Sequence, residues 1–268
     1  MSRSPIDRRG RPKGGFAWKV LLVAAVAGYY WTRRGAPPAS PRVVQRPVRE
    51  ALAKYDWPRA APAGAKTELA ANLTTANYYV VLDGSGSMTE EGCSGGDSKM
   101  NAAKRALAEF AKAVPPGAQL GLLAFDGRGL AERVPLAAGN RELFVQEVQN
   151  VMAAGGTPLL SAVSMGIDKL EEQARRQLGY GEYNLVVVTD GEASRGEDPR
   201  PAVDTILARS PVAIHTIGFC VGQDHSLNQP GRTLYKTAQS PEELRAGLGQ
   251  VLAESETFDV KAFAPGGR

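Results

Sequence analysis

The chain has 268 residues, 43% apolar and 22% charged, which supports a folded body with a sizeable core. Its net charge of +4 hides a split: residues 1–66 hold 14 Lys and Arg against 3 Asp and Glu, whereas residues 67–268 hold 18 against 25. The basic excess belongs to an N-terminal arm and the rest is acidic, which excludes a nucleic-acid-binding globule carrying its own basic footprint.

Residues 1–15 form a basic tail. From Phe16 to Trp31 the chain reads FAWKVLLVAAVAGYYW, with 12 uninterrupted apolar or aromatic positions from Val20. A spanning helix needs about 20 residues, so the run is short. Lys19 can snorkel toward the basic flank, Tyr29, Tyr30 and Trp31 suit a membrane interface, and Arg33 and Arg34 close the segment. These features predict a signal-anchor over 16–31, with cleavage after Ala25-Val26-Ala27 and secretion as the alternative. Basic residues flank both sides almost equally. A short tail is easier to leave in the cytoplasm than a whole body is to retain there, so the body is expected outside. Residues 32–76 are expected to be a Pro/Ala-rich linker, since six prolines fall between 35 and 66.

Beyond Asn77 the apolar pattern alternates between strand and helix periods. Tyr78–Leu82 is a β-rich run ending in Asp-Gly. Met100–Val114 carries apolar residues at helical spacing and stops at Pro115-Pro116-Gly117. Leu120–Phe125 is a second buried strand ended by Asp-Gly, followed by a short strand at Arg133–Leu136 and a helix from about Arg141 to Met152. Pro158–Leu178 is a long amphipathic helix. Asn184–Thr189 is a third apolar strand that also ends in Asp-Gly. A helix near Ala202–Arg209, strands at Val212–Phe219 and Leu234–Ala238, and a final helix opened by Ser240-Pro-Glu-Glu243 complete the series. Doubly buried strands separated by helices predict an α/β fold with a mostly parallel central sheet and helices on both faces. Ligands of such sheets bind at the carboxyl ends of strands, which puts Asp83 and Asp190 on the functional rim.

Asp83, Ser85 and Ser87 alternate with Gly84 and Gly86 in a loop leaving the first strand. One carboxylate and two hydroxyls are hard oxygen donors suited to Mg2+ or Ca2+. Thr157, after Gly155-Gly156, and Asp190, at the end of the third apolar strand, are the other candidate donors. The runs VVLDGSGSM, GGTPL and VVVTDGEAS resemble the three parts of the metal-ion-dependent adhesion site of von Willebrand factor type A domains. All five family positions are matched, by Asp83, Ser85, Ser87, Thr157 and Asp190, and the resemblance covers roughly residues 77–256, within a domain expected at 77–258 and a C-terminal tail at 259–268. It implies a Rossmann-like fold. It further implies a divalent cation (Mg2+, or Ca2+ or Mn2+) and a protein ligand that supplies a carboxylate to it, as in an adhesion-type binding module. The alternative is a scaffold or assembly subunit working beside an AAA+ ATPase.

A metal-dependent enzyme is the weaker reading. A dehalogenase-type nucleophile needs a second acid where Ser85 stands, and no Walker loop, GxGxxG or HExxH occurs. His215 falls in a predicted strand and reads as a core or edge histidine, and His225 reads as a surface residue of a polar loop. Cys93, after the metal motif, and Cys220, after the strand HTIGF, are both expected on the carboxyl-end rim. A disulfide between them is chemically permitted outside the cytoplasm.

Overall fold

The computed structural model describes residues 56–61, 64 and 67–255. The expected segment at 16–31, both tails and residues 32–55 of the expected linker lie outside them. Among the described residues no helix is long and apolar enough to cross a membrane.

Six strands form one sheet: β1 (Ala76–Asp83), β2 (Gln119–Asp126), β3 (Gly129–Ala137), β4 (Glu182–Thr189), β5 (Ala213–Phe219) and β6 (Leu234–Ala238). The spatial order is β3-β2-β1-β4-β5-β6, with β3 antiparallel to β2 and every other pair parallel. Strand order reverses between β1 and β4, and a doubly wound sheet offers its ligand crevice beyond the carboxyl ends of the strands at such a reversal. The pairing of Leu82 with Val188 brings Asp83 and Thr189 side by side there.

Five helices cover the sheet: α1 (Lys99–Ala113), α2 (Arg141–Gln149), α3 (Leu159–Arg176), α4 (Arg200–Arg209) and α5 (Pro241–Ser255). Alternation along β1 assigns the two faces. Tyr78, Val80 and Leu82 pack with Leu107, Phe110, Phe144, Leu244 and Leu248 of α1, α2 and α5. Tyr79 and Val81 pack with Leu159, Val163, Ile167, Val203 and Ile206 of α3 and α4. From Asn77 onward each β1 side chain is buried on one face or the other, so the strand has no alternating polar face. The start of α5 follows its sequence signal. Ser240 Oγ accepts from the Glu243 N–H (3.2 Å), and the Glu243 carboxylate accepts from the Gln239 N–H (2.7 Å).

Three expectations need correction. Arg133–Leu136 is the middle of a nine-residue strand that hairpins back from Asp126, opposite Gly129. The helix expected to reach Met152 stops at Gln149, because the Met152 N–H turns to the Asp126 carboxylate (3.2 Å) and its carbonyl accepts from Gly127 N–H (3.0 Å). Part of the expected linker is docked on the body. The Trp57 ring meets Tyr183 edge-on at 5.6 Å, and Arg59 engages Glu171 of α3 through Nε and Nη2. Burial alone would raise Glu171's pKa, but the bonds from Arg59 and Arg209 outweigh it and hold the carboxyl at about 2.

His215, expected in the core or at an edge, is 4% exposed on β5, where its Nε2 donates to Asn184 Oδ1 (3.2 Å). Burial, aided by Lys236, lowers its pKa to about 4. A neutral buried imidazole stabilises the fold above the unfolded value of about 6.5, and that contribution is lost as pH falls toward 4. Between about pH 7 and about pH 4.5, wild type should therefore lose roughly 2–3 kcal/mol more than a His215→Gln variant. Denaturant titrations of both proteins at each pH measure this, and parallel losses would contradict the assignment.

Candidate metal centre

Asp83 is the last residue of β1 and is fully buried. Its Oδ1 accepts from the Ser85 N–H (2.8 Å) and its Oδ2 from Thr189 Oγ1 (2.6 Å). Burial pushes its carboxyl up to about 6 against these bonds, and the nearby Asp190 charge pushes the same way. Among the described residues no ammonium or guanidinium is hydrogen-bonded to it, and the groups that hold its ionised form are the Ser85 N–H and the Thr189 hydroxyl.

The remaining candidates gather on the same rim. Ser85 Oγ and Ser87 Oγ lie 3.1 Å apart, and Ser87 Oγ donates to Asp190 Oδ1 at 2.8 Å. Thr157 arrives through the backbone. The Gly86 N–H donates to the Gly155 carbonyl (3.0 Å), Thr157 N–H donates to Ser194 Oγ (2.9 Å), and Ser194 N–H donates to the Thr157 carbonyl (2.9 Å). The loop carrying Thr157 is thereby tied to the loops that follow β1 and β4. Of the two glycines in the first loop, Gly84 is the one sterically required. A Cβ there would sit 2.7 Å from the Phe125 carbonyl and 2.9 Å from Val151, whereas at Gly86 the nearest atom is 3.6 Å away. Gly84 matters through this close approach, not through a left-handed torsion.

Four participants were not among the sequence candidates. Thr189 holds Asp83, and its position directly before Asp190 is the available signal. Lys99, the first residue of α1, donates to Asp190 Oδ2 (3.0 Å) and Glu90 Oε2 (2.9 Å), with its side chain only 8% exposed. His225 is buried, contrary to the expected surface role. Its Nδ1 accepts from Leu227 N–H, which leaves Nε2 to donate to the Gly191 carbonyl at 3.0 Å, and the ring stacks on Tyr235. It braces the turn after Asp190. Asp126, the third Asp-Gly step, is occupied structurally: Arg133, Arg128 and two backbone N–H groups donate to it.

Cys93 and Cys220 are joined in a disulfide, with Cα atoms 5.7 Å apart. The bond ties the loop between the metal motif and α1 to the end of β5, and the Cys220 N–H donates to the Ala238 carbonyl. Among the described residues no group of three or more His, Cys, Asp and Glu is placed to hold a metal ion. The rim instead combines two carboxylates with three hydroxyl-bearing residues, an all-oxygen set that fits a hard divalent cation.

Residues 77–248 match the model of the von Willebrand factor type A domain. The chain belongs to that family. An uncharacterized protein of Bacillus subtilis (strain 168), YwmC, is 28% identical over 170 residues, covering 59% of this chain and 71% of the relative. The structure of the minor pilin PilB from Streptococcus sanguinis aligns with a TM-score of 0.55 at 13% identity, over 76% of this chain and 65% of the pilin. Proximal thread matrix protein 1 from the mussel byssus, with a zinc-occupied MIDAS motif, aligns at 0.50 and 19% identity, over 69% of this chain and 48% of that protein. At these identities the two solved structures share the fold with this chain. Members of the von Willebrand factor type A family are generally non-enzymatic interaction modules.

Bridging residues 127 apart in sequence restricts the unfolded chain strongly. Replacing both cysteines with serine should lower unfolding stability by about 2–4 kcal/mol. Denaturant titration of the double variant measures the loss, and an unchanged midpoint would remove the bond from the account.

Proposed function

We propose that this domain is a divalent-cation-dependent protein-binding module, displayed outside the cytoplasm. Asp83, Ser85, Ser87, Thr157 and Asp190 hold the ion, with Mg2+ the first candidate and Ca2+ or Mn2+ as substitutes. The observation that carries this reading is Asp83. Burying an ionised carboxylate without a countercharge costs several kcal/mol, and folds tolerate such groups where a metal or partner compensates them. Ser85, Ser87 and Asp190 form a contiguous set beside it, the Thr157 loop is tied to the same rim, and Mg2+ commonly completes a partial protein set with water. The zinc-occupied MIDAS motif of the mussel protein, which shares this fold, supports a cation-binding reading.

The chemistry supports binding over catalysis. Neutral hydroxyls and water complete the set around the ion, and an incoming carboxylate can replace such a water. An Asp or Glu side chain of a protein partner is the proposed ligand. The disulfide supports an oxidising compartment, consistent with anchoring through 16–31 or secretion.

Simple truncation of Asp83 would leave two buried donors without an acceptor, at a cost of about 1–3 kcal/mol. Asp83→Asn is the cleaner change, because Thr189 Oγ1 also lies 3.1 Å from the Gly191 carbonyl and can donate there instead. Without metal the variant should melt at or above the wild-type temperature, since it removes a buried charge that burial disfavours. With millimolar Mg2+ only wild type should gain stability, by about 2.7 kcal/mol at a hundredfold excess over Kd. Thermal melts with and without Mg2+ test both expectations, and an equal Mg2+-dependent shift in the two proteins would sink the metal assignment.

A further inference from the structure

We propose that Lys99 is a fixed internal countercharge of the cation site, one that weakens the site's hold on the ion and keeps the loaded site net positive. The inference rests on the metal-site reading above and deepens it. Counting formal charges shows why it is needed. Asp83 and Asp190 together cancel a divalent ion, so a site made of the five donors alone would be neutral when loaded and would attract a partner carboxylate weakly. Lys99 restores the positive excess. Its ammonium lies 3.0 Å from Asp190 Oδ2, and the Asp190 side chain is fully buried. The opposite carboxylate oxygen, Oδ1, accepts from Ser87. One carboxylate is therefore shared between the proposed donor set and a buried cation.

Lys99 is also held in place. The Glu90 carbonyl accepts its backbone N–H (2.8 Å), and the Glu90 carboxylate takes a second ammonium hydrogen. Gly92, at φ +38°, lies over its aliphatic stem so closely that a Cβ there would meet Lys99 Cε at 2.8 Å. The next residue, Cys93, is bonded to Cys220, which pins that covering loop. Glu90 is 65% exposed and its charge is screened by solvent, whereas that of Lys99 acts through a dry interior. The net effect at the site is that of the ammonium.

A residue that merely supports Asp190 would, on removal, loosen the site and weaken metal binding. A countercharge does the opposite. Isothermal titration of Mg2+ into the disulfide-bonded protein should show Lys99→Met binding about tenfold more tightly than wild type, a change of about 1.4 kcal/mol. Glu90→Gln sits on the solvent side and leaves the core untouched, and it should bind Mg2+ a few-fold more weakly because the ammonium is then less compensated. With Mn2+ loaded, acetate serves as the carboxylate probe. The paramagnetic relaxation of its methyl protons should fall in Lys99→Met relative to wild type at equal site occupancy. Unchanged or weaker Mg2+ binding in Lys99→Met overturns the proposal, as does tighter binding in Glu90→Gln. The Glu90→Gln result decides the matter if Lys99→Met does not fold. Absence of Mg2+ heat from wild type would instead overturn the metal-site reading itself.

Discussion

A single buried charge organises the rim of this domain. Asp83 has to end β1 at the place where the strand order reverses, because only there do the loops after β1 and β4 and the loop before α3 converge. Parallel pairing on both sides seals it from water, and that burial pushes its carboxyl up to about 6, against the ionised form. The surrounding hydroxyls and N–H groups soften the penalty without cancelling it. On the proposed metal-site reading, a site that is costly when empty and relieved when loaded would couple cation binding to the stability of the rim.

The neighbouring features hold the donors still. Ser194 and Gly155 fix the Thr157 loop, and His225 fixes the turn after Asp190. Lys99 and Ser87 each take one oxygen of Asp190 itself. The disulfide restrains the one long loop that covers Lys99. Farther around the rim, Asp126 shows what an Asp-Gly step becomes when arginines satisfy it: a brace for the hairpin and for the end of α2. Two carboxylates on one edge thus serve different ends because one meets guanidinium groups and the other meets hydroxyls.

Much of the fold was legible in the sequence because β1, β2 and β4 are buried on both faces, and YYVVL, LGLLAF and NLVVVT admit few other readings. The antiparallel course of β3 was not, since GLAERVPLA alternates weakly and its pairing depends on the tight turn at Asp126. The overrun of α2 has a similar origin: its last residues remain apolar, but the Met152 backbone is claimed by Asp126. At the candidate site, Asp83, Ser85 and Ser87 were readable as neighbours, and Thr157 and Asp190 as residues at element ends. Lys99 was hidden because a lysine opening a helix reads as solvated. Its burial depends on Gly92 and on a disulfide to a strand more than a hundred residues away. Trp57 and Arg59 were hidden by the proline-rich composition around them. Glu171, which anchors Arg59, looks like an ordinary helical acid until α4 brings Arg209 to its other side.

Asp83, Ser85, Ser87, Thr157 and Asp190 are proposed to hold one divalent cation. Anomalous diffraction from crystals of the disulfide-bonded protein grown with Mn2+ tests it most directly. A single strong anomalous peak bounded by Asp83, Ser85 and Ser87 is expected, together with its loss in Asp83→Asn. Crystals that bind Mn2+ only elsewhere, or a peak on the rim that persists in the variant, would contradict it.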